Sequence, residues 1–416
     1  MPADDAGLPD AGPPAPHLRD DVPVSYAEVY SAELRDLGRA GMREWLPVDV
    51  TAHPDGQLWI VQQLERDPAF DDDTECTERG LVGGPHDCFS LEGSTVALQD
   101  PTSSDPATAA NGRATLVVDW NSLHFMRRPS AIAFGATELS LGVDGPGASE
   151  AGVTGAVTFP NTFATCHEHW TGNPTDTYAF IGPTLWTDDP NIYNGSGGDF
   201  SWSNGAHLDM LHATAYCMGI AYERDNVYWT FNGLEGTLDR YDFGSPHFPG
   251  HSNHEDGVIS RYDLGEAGRL ARLPTVPSNL VMRGTDLYVA DTGNGRVLRV
   301  DTASPTVEFG TFLTFDSLDA TLIDGVAFEV LLDAGALGTE WGGASEPSGL
   351  AILDDDTLLV ANHATGHISL FDLDGTLVRT LDTGMGAGLG GLTVMDGVVY
   401  FIQMSERRVY RIDVGS

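Results

Sequence analysis

The chain reads as an all-β protein, a six-bladed β-propeller with insertions in blades 1–3. Three observations predict this. A unit of short strands recurs six times, period-2 alternation runs through each copy, and helical periodicity is almost absent after residue 45.

The clearest unit is VPSNLVMRGTDLYVADTGNGRVLRVD, residues 276–301, and the next copy is EPSGLAILDDDTLLVANHATGHISLFD, residues 346–372. Pro277-Ser278 answers Pro347-Ser348, Asp291 answers Asn362, and Arg299-Val300-Asp301 answers Leu370-Phe371-Asp372. Weaker copies run over 389–413 and 217–242, from RPSAIAFG at 128 to NTFATCHEHW at 161–170, and over 46–63. Innermost strands therefore begin near residues 47, 129, 217, 277, 347 and 389. The last interval is the length of one four-stranded blade, and the longer ones are blades with insertions. Within a copy, Leu287 and Val289 alternate with Tyr288 and Ala290, as a strand with two distinct faces requires. Residues 25–45 could form one short helix or a strand that closes the ring with the last blade; the strand is favoured. Residues 1–24 are Pro-, Ala- and Asp-rich and read as a flexible linker before a single domain spanning 25–416.

The units at 276–301 and 346–372 resemble NHL repeats, and the whole is similar to the NHL-type six-bladed propellers. That family includes lyases, hydrolases, lactonases and binding modules, so the resemblance implies a scaffold rather than one activity. Peptidyl-hydroxyglycine amidating lyases are NHL propellers whose zinc is held by one His from each of three loops leading into blades. HLDMLH at 207–212 is similar to a segment around one such ligand, which maps to His212. The corresponding positions elsewhere here are Ser130, Ser278 and Ser348. Gluconolactonase-like propellers hold calcium at the axis; by that resemblance Asp291 and Asn362 are candidate oxygen ligands.

Composition narrows the function. The chain of 416 residues carries 61 acidic and 21 basic side chains, a net charge of −40, and every basic residue is Arg. Nucleic acid and anionic membranes are poor partners for such a surface. Without Lys, no side-chain Schiff base can form. No run of apolar residues is long enough for a membrane-spanning helix. Neither a nucleophile elbow nor a phosphate loop is present. There are four cysteines. Cys76 and Cys88 are expected to close a disulfide across a Gly/Asp-rich insertion. Cys166 and Cys217 should be neighbours near the axis, as a second disulfide, as thiolate ligands or as buried thiols. Disulfides, together with a leading tract of the kind that follows export signals, predict a secreted, periplasmic or cell-surface location, although no signal is visible.

Eight of the thirteen histidines fall between residues 124 and 254. Two groups are candidates for a transition-metal site, because imidazole plus carboxylate suits zinc or copper. The first comprises His207, Asp209 and His212 before the blade-3 strand, His167 and His169 in blade 2, and His363 in blade 5. Together with Arg128, these are expected to converge on the channel mouth. The second is HFPGHSNHEDG, with His247, His251 and His254, on the opposite face if it joins third and fourth strands. The resulting expectation is an exported propeller binding zinc or copper, with calcium as a further candidate. It would act as a metal-dependent lyase or hydrolase of a small or peptide-derived substrate. The alternative is a non-enzymatic ligand- or protein-binding scaffold.

Overall fold

The computed structural model describes residues 18–32, 34–36, 42–64, 93–108, 111–117, 128–148, 154–171, 179–192, 206–249, 251, 253–333 and 343–415. It is nearly all β, with 52% strand and 3% helix, and six small sheets stand in a ring. The only α-helix among the described residues is the single turn Gly265–Gly268.

The innermost strands of the six blades are Met42–Ala52, Pro129–Phe134, Cys217–Arg224, Leu280–Arg283, Pro347–Ile352 and Leu389–Met395. They agree with the six starts expected from the repeat. From each, antiparallel neighbours run outward; in blade 1 the inner strand also pairs with Leu34–Asp36 on its other side. Tight turns set the register. Between Leu389–Met395 and Val398–Gln403 the two-residue loop Asp396-Gly397 has φ of 52° and 75°. These values suit the primed turn whose twist matches the flanking strands. The ring closes as expected from the favoured reading of residues 25–45. Val24–Ser31 lies antiparallel to Arg408–Val414 as the outer strand of blade 6, so the two ends of the chain share one sheet. Before it, Leu18 packs into the core between blades 5 and 6, and Arg19 pairs with Asp372 at 2.7 Å.

At the axis, neighbouring inner strands are bonded to each other. Ser278 N–H donates to the Met218 carbonyl at 2.8 Å, Asn279 N–H to Ser348 O at 2.9 Å, and Ser348 Oγ to Leu389 O at 2.9 Å. Ser130 Oγ donates to Cys217 O. Ser278, Ser348 and Ser130 thus fasten blade to blade. The approach is so close that a Cβ on Gly219 would run into the Ser278 carbonyl. Inside this ring lies an axial cavity of about 320 Å³, lined by the inner strands of all six blades. Outward, the wedges between blades are filled by buried aromatic side chains, including Trp186, Tyr228, Trp229, Tyr288 and Tyr400.

The insertions extend further than the sequence suggested. Blade 2 carries the hairpin Glu138–Leu141/Val157–Pro160 between its first two strands. Blade 4, expected to be free of insertions, also carries one: Val307–Leu313 and Asp319–Asp324, placed between its third and fourth strands. This hairpin leaves its own blade and lies parallel to Val258–Tyr262, the outer strand of blade 3.

Candidate metal centre

Strand order decides where the histidines go. Asp209–Met210 pairs with Thr184–Thr187 as the outermost strand of blade 2. His207 therefore lies in the connection between the third and fourth strands of blade 2, on the periphery rather than at the channel mouth. Thr237–Asp242 and Val258–Tyr262 are the third and fourth strands of blade 3, so His247, His251 and His254 occupy the equivalent connection one blade on. In an antiparallel blade these two connections share a face, opposite the loops that lead into the inner strands. The two groups that sequence reasoning kept apart meet there, and the convergence expected at the channel mouth does not occur.

The resulting cluster is compact. His207, His247 and His254 each offer one ring nitrogen, and these atoms all lie within 4.8 Å of one another. Ring centroids are 4.8 Å apart for His207 and His247, 5.3 Å for His247 and His254, and 6.0 Å for His207 and His254. Among the described residues this is the one group of three or more His, Cys, Asp or Glu side chains so arranged.

Hydrogen bonds fix the tautomers. His247 Nδ1 faces the Phe248 carbonyl at 2.8 Å; a carbonyl can only accept, so Nδ1 carries the hydrogen and Nε2 keeps its lone pair. That Nε2 is buried and has no hydrogen-bond partner among the described residues. Burial, helped by the neighbouring His254 and His251, pushes His247 down to about 3, so its imidazole stays neutral. His254 Nδ1–H donates to Asp209 Oδ1 at 2.8 Å, which turns its Nε2 away from that carboxylate. Burial raises Asp209 to about 7 against the opposing effect of His254.

His212 stands beside the trio, its ring 6.2 Å from that of His254. Its Nδ1–H and backbone N–H both donate to Asp316, each at 2.7 Å. Burial works against the Asp316 charge, but His212 outweighs it and holds the carboxyl below its ordinary range. Asp316 sits at the turn of the blade-4 hairpin. Phe180 stacks on the His212 ring with centroids 3.8 Å apart. Sequence reading missed Asp316, which is 104 residues from His212 and carries no spacing signal.

Local anchors explain the geometry. Leu208 N–H donates to Leu185 O, and its carbonyl accepts from His247 N–H at 2.9 Å, stitching the two connections together. Phe248 N–H donates to Pro146 O, and its ring packs on Phe159 of the blade-2 hairpin. Gly147, at φ 80°, lets the His251 side chain lie against it; a Cβ there would be 2.7 Å from that of His251. Below, Thr214 Oγ1 donates to buried Asp239 at 2.6 Å, fixing the loop that follows His212.

The other candidates lie elsewhere. His167 is buried in blade 2 against Thr165 and Thr184 hydroxyls. His169 folds onto the backbone of Thr171, and His363 donates through Nδ1 to Leu389 O in blade 6. The carboxylate of Asp291 already accepts from Ala271 N–H, Asn294 and Arg296, and Asn362 Oδ1 accepts from Glu346 and Ala364 N–H. Cys166 and Cys217 form a disulfide, Cα–Cα 5.3 Å, joining blades 2 and 3. Cys76 and Cys88 lie outside the described residues.

Chemically, three imidazoles with converging nitrogens, one held by a buried carboxylate, form a donor set suited to zinc or copper. The residues fit such an ion because His247 is neutral and aims a buried lone pair that has no hydrogen-bond partner among the described residues.

No family model and no curated protein matches the chain. Among solved structures, a Bacteroides thetaiotaomicron auxiliary nutrient binding protein aligns with 95% of this chain and 77% of its own, at 9% identity and TM-score 0.48. Virginiamycin B lyase from Staphylococcus aureus aligns with 94% of this chain and 99% of its own, at 10% identity and TM-score 0.44. A streptogramin B lyase aligns over 94% and 98%, at 11% identity and TM-score 0.41. At these scores the likeness transfers no ligand and no activity to this chain.

Proposed function

We propose that this protein is an exported six-bladed propeller that binds one transition-metal ion, zinc or copper, between blades 2 and 3 through His207, His247 and His254. The observation that carries this reading is the convergence of three ring nitrogens within 4.8 Å in a partly buried setting. With Nδ1 of His247 committed to a carbonyl and Nδ1 of His254 to a carboxylate, each of these rings keeps Nε2 as its donor atom for an ion. Asp209 orients His254, and the Phe248 carbonyl orients His247, as second-layer groups do around bound metals. The net charge of −40 raises the local concentration of cations. Three protein ligands leave a fourth position for a small ligand or a substrate oxygen, which supports a metal-dependent lyase or hydrolase over a purely structural ion. The interblade disulfide supports an oxidising compartment.

The test is elemental analysis of untagged protein, equilibrated with zinc or copper and then desalted. One ion per chain is expected, with retention in His363→Ala and loss in His247→Ala and His254→Ala. Wild-type protein that holds no stoichiometric metal would overturn the proposal and leave a ligand- or protein-binding scaffold.

A further inference from the structure

The opposite face of the ring carries a second constellation that the metal site does not use. Glu168 follows the second strand of blade 2, and its side chain is only 5% exposed. Its carboxylate accepts from Arg272 Nη1 at 3.1 Å and Thr275 N–H at 2.9 Å on one oxygen, and from Arg128 Nη2 at 3.4 Å on the other. Arg128 leads into blade 2, Arg272 and Thr275 into blade 4, and Tyr216 into blade 3, so these loops meet at the channel mouth.

Two guanidinium groups share one carboxylate, which leaves a local excess of positive charge on a chain of net −40. Among the described residues, Arg128 donates hydrogen bonds only through Nη2, and Arg272 only through Nη1. Their remaining N–H groups have no partner among the described residues, and both side chains are partly solvent-exposed, 18% and 24%. The Arg272 guanidinium lies 4.0 Å from the Tyr216 ring centroid, and Tyr216 is 6.5 Å from Trp170, which is 37% exposed. A cation and two aromatic rings thus form one open platform.

The backbone supports a ligand site here. Arg128, Tyr216 and Thr275 have φ of 46°, 51° and 68°. Left-handed backbone is disfavoured for every one of these residue types, most of all for β-branched Thr. Such strain gathers at ligand clamps, where the surrounding structure holds residues in place for a purpose other than stability.

We propose that the channel mouth binds a small organic acid, its carboxylate taken by the N–H groups of Arg128 and Arg272 that have no partner among the described residues and an aromatic or flat apolar body laid on Trp170 and Tyr216. Guanidinium offers planar paired donors that match a carboxylate, and its stacking on Tyr216 fixes its plane in advance. This site is independent of the proposed metal centre, which is built from connections on the other face.

The probes are 3-phenylpropionate and its neutral amide, titrated calorimetrically into the full chain. Saturable binding of the acid is expected, at least tenfold tighter than the amide. Arg272→Gln and Arg128→Gln should each weaken the acid tenfold or more and leave the amide unchanged. Trp170→Ala, an exposed substitution that leaves the ion pairs intact, should weaken both probes. His254→Ala should bind the acid as the wild type does, which separates this site from the metal centre. Absence of saturable binding, equal affinity for acid and amide, or full affinity in the folded Arg variants would overturn the proposal and leave a purely structural ion-pair network.

Discussion

Asp209 Oδ1 accepts the Nδ1 hydrogen of His254 at 2.8 Å, a bond that crosses from the outermost strand of blade 2 to the peripheral loop of blade 3. Asp209 is wholly buried, and its other oxygen has no hydrogen-bond partner among the described residues. A buried carboxylate is costly unless it is paired, and its partner here is the imidazole that presents Nε2 to His207 and His247.

Removing that support should therefore be felt at the metal. Asp209→Ala is expected to lower metal affinity about 10–100-fold while all three proposed ligands remain. It leaves the His254 Nδ1–H without its acceptor, at a stability cost of roughly 1–3 kcal/mol. Competition against a chromophoric chelator reads the affinity and urea unfolding reads the stability. Unchanged metal affinity in a folded Asp209→Ala protein would remove Asp209 from the site.

The disulfide staples the two blades that carry the histidines. Cys166 and Cys217 are 51 residues apart in sequence, and both are completely buried. Closing a loop of that length restricts the unfolded chain, so Cys166→Ser with Cys217→Ser should cost roughly 2–4 kcal/mol. Non-reduced peptide mapping of protein from an oxidising compartment should recover the 166–217 pair. Alkylation of both thiols without reduction would contradict it.

Ring closure through the N-terminal strand makes a further prediction. Tyr30 is buried, and its hydroxyl donates to Gln62 Oε1 of blade 1 at 3.1 Å, so it spans the seam between the last blade and the first. Tyr30→Ala should destabilise by roughly 3–5 kcal/mol, as large aromatic truncations in cores do. Glu28→Ala, on the same strand, removes only a partly exposed pair with Arg408 and should cost less than about 1 kcal/mol. Similar unfolding midpoints for the two variants would argue against a load-carrying seam.

How legible this was in the sequence follows from where each feature sits. Inner strands repeat because each packs against the same neighbour around the ring, so Ser130, Met218, Ser278 and Ser348 could be aligned by pattern. The proposed metal ligands lie in peripheral insertions, where no repeat constrains the chain. HLDMLH looked like a loop leading into blade 3 because its strand, Asp209–Met210, is two residues long and gives no periodic signal. Missing that strand moved His207 to the wrong face and separated it from His247 and His254. Asp316 was invisible for a related reason: its hairpin belongs by sequence to blade 4 and by pairing to blade 3. Arg128 was placed at the channel mouth from its position before Ser130, whereas its meeting with Arg272 depends on two loops more than a hundred residues apart.

The axis makes the last prediction. Asp49 of blade 1 and Asn279 of blade 4 both line the axial cavity, and Asp49 Oδ2 accepts from Ile132 N–H at 3.0 Å. Burial is the dominant influence and raises the carboxyl to about 7, with the polar groups of Ile132, Asn279 and Val50 only partly opposing it. In the unfolded chain the same group ionises near pH 4. Below that pH both states hold the proton, and Asp49 carries no stability penalty. Between about pH 4 and pH 7 the unfolded chain has released the proton while the folded chain retains it, so stability should fall as pH rises, by up to about 1.4 kcal/mol per pH unit. Above about pH 7 both states are ionised and the loss is complete. Asp49→Asn keeps the size of the side chain and an oxygen to accept from Ile132, and it fits where Gly391 packs against Asp49 without room for added atoms. The variant cannot ionise. Its advantage over the wild type should therefore grow steadily from pH 5 to pH 7 and then level off, reaching a few kcal/mol at most. Denaturant titrations of both proteins at half-unit pH steps measure this difference directly, and the effects of other titrating groups cancel between them. Curves that stay parallel from pH 5 to pH 8 would mean that Asp49 ionises in the folded protein as it does in the unfolded one, stabilised by water or a cation in the axial cavity.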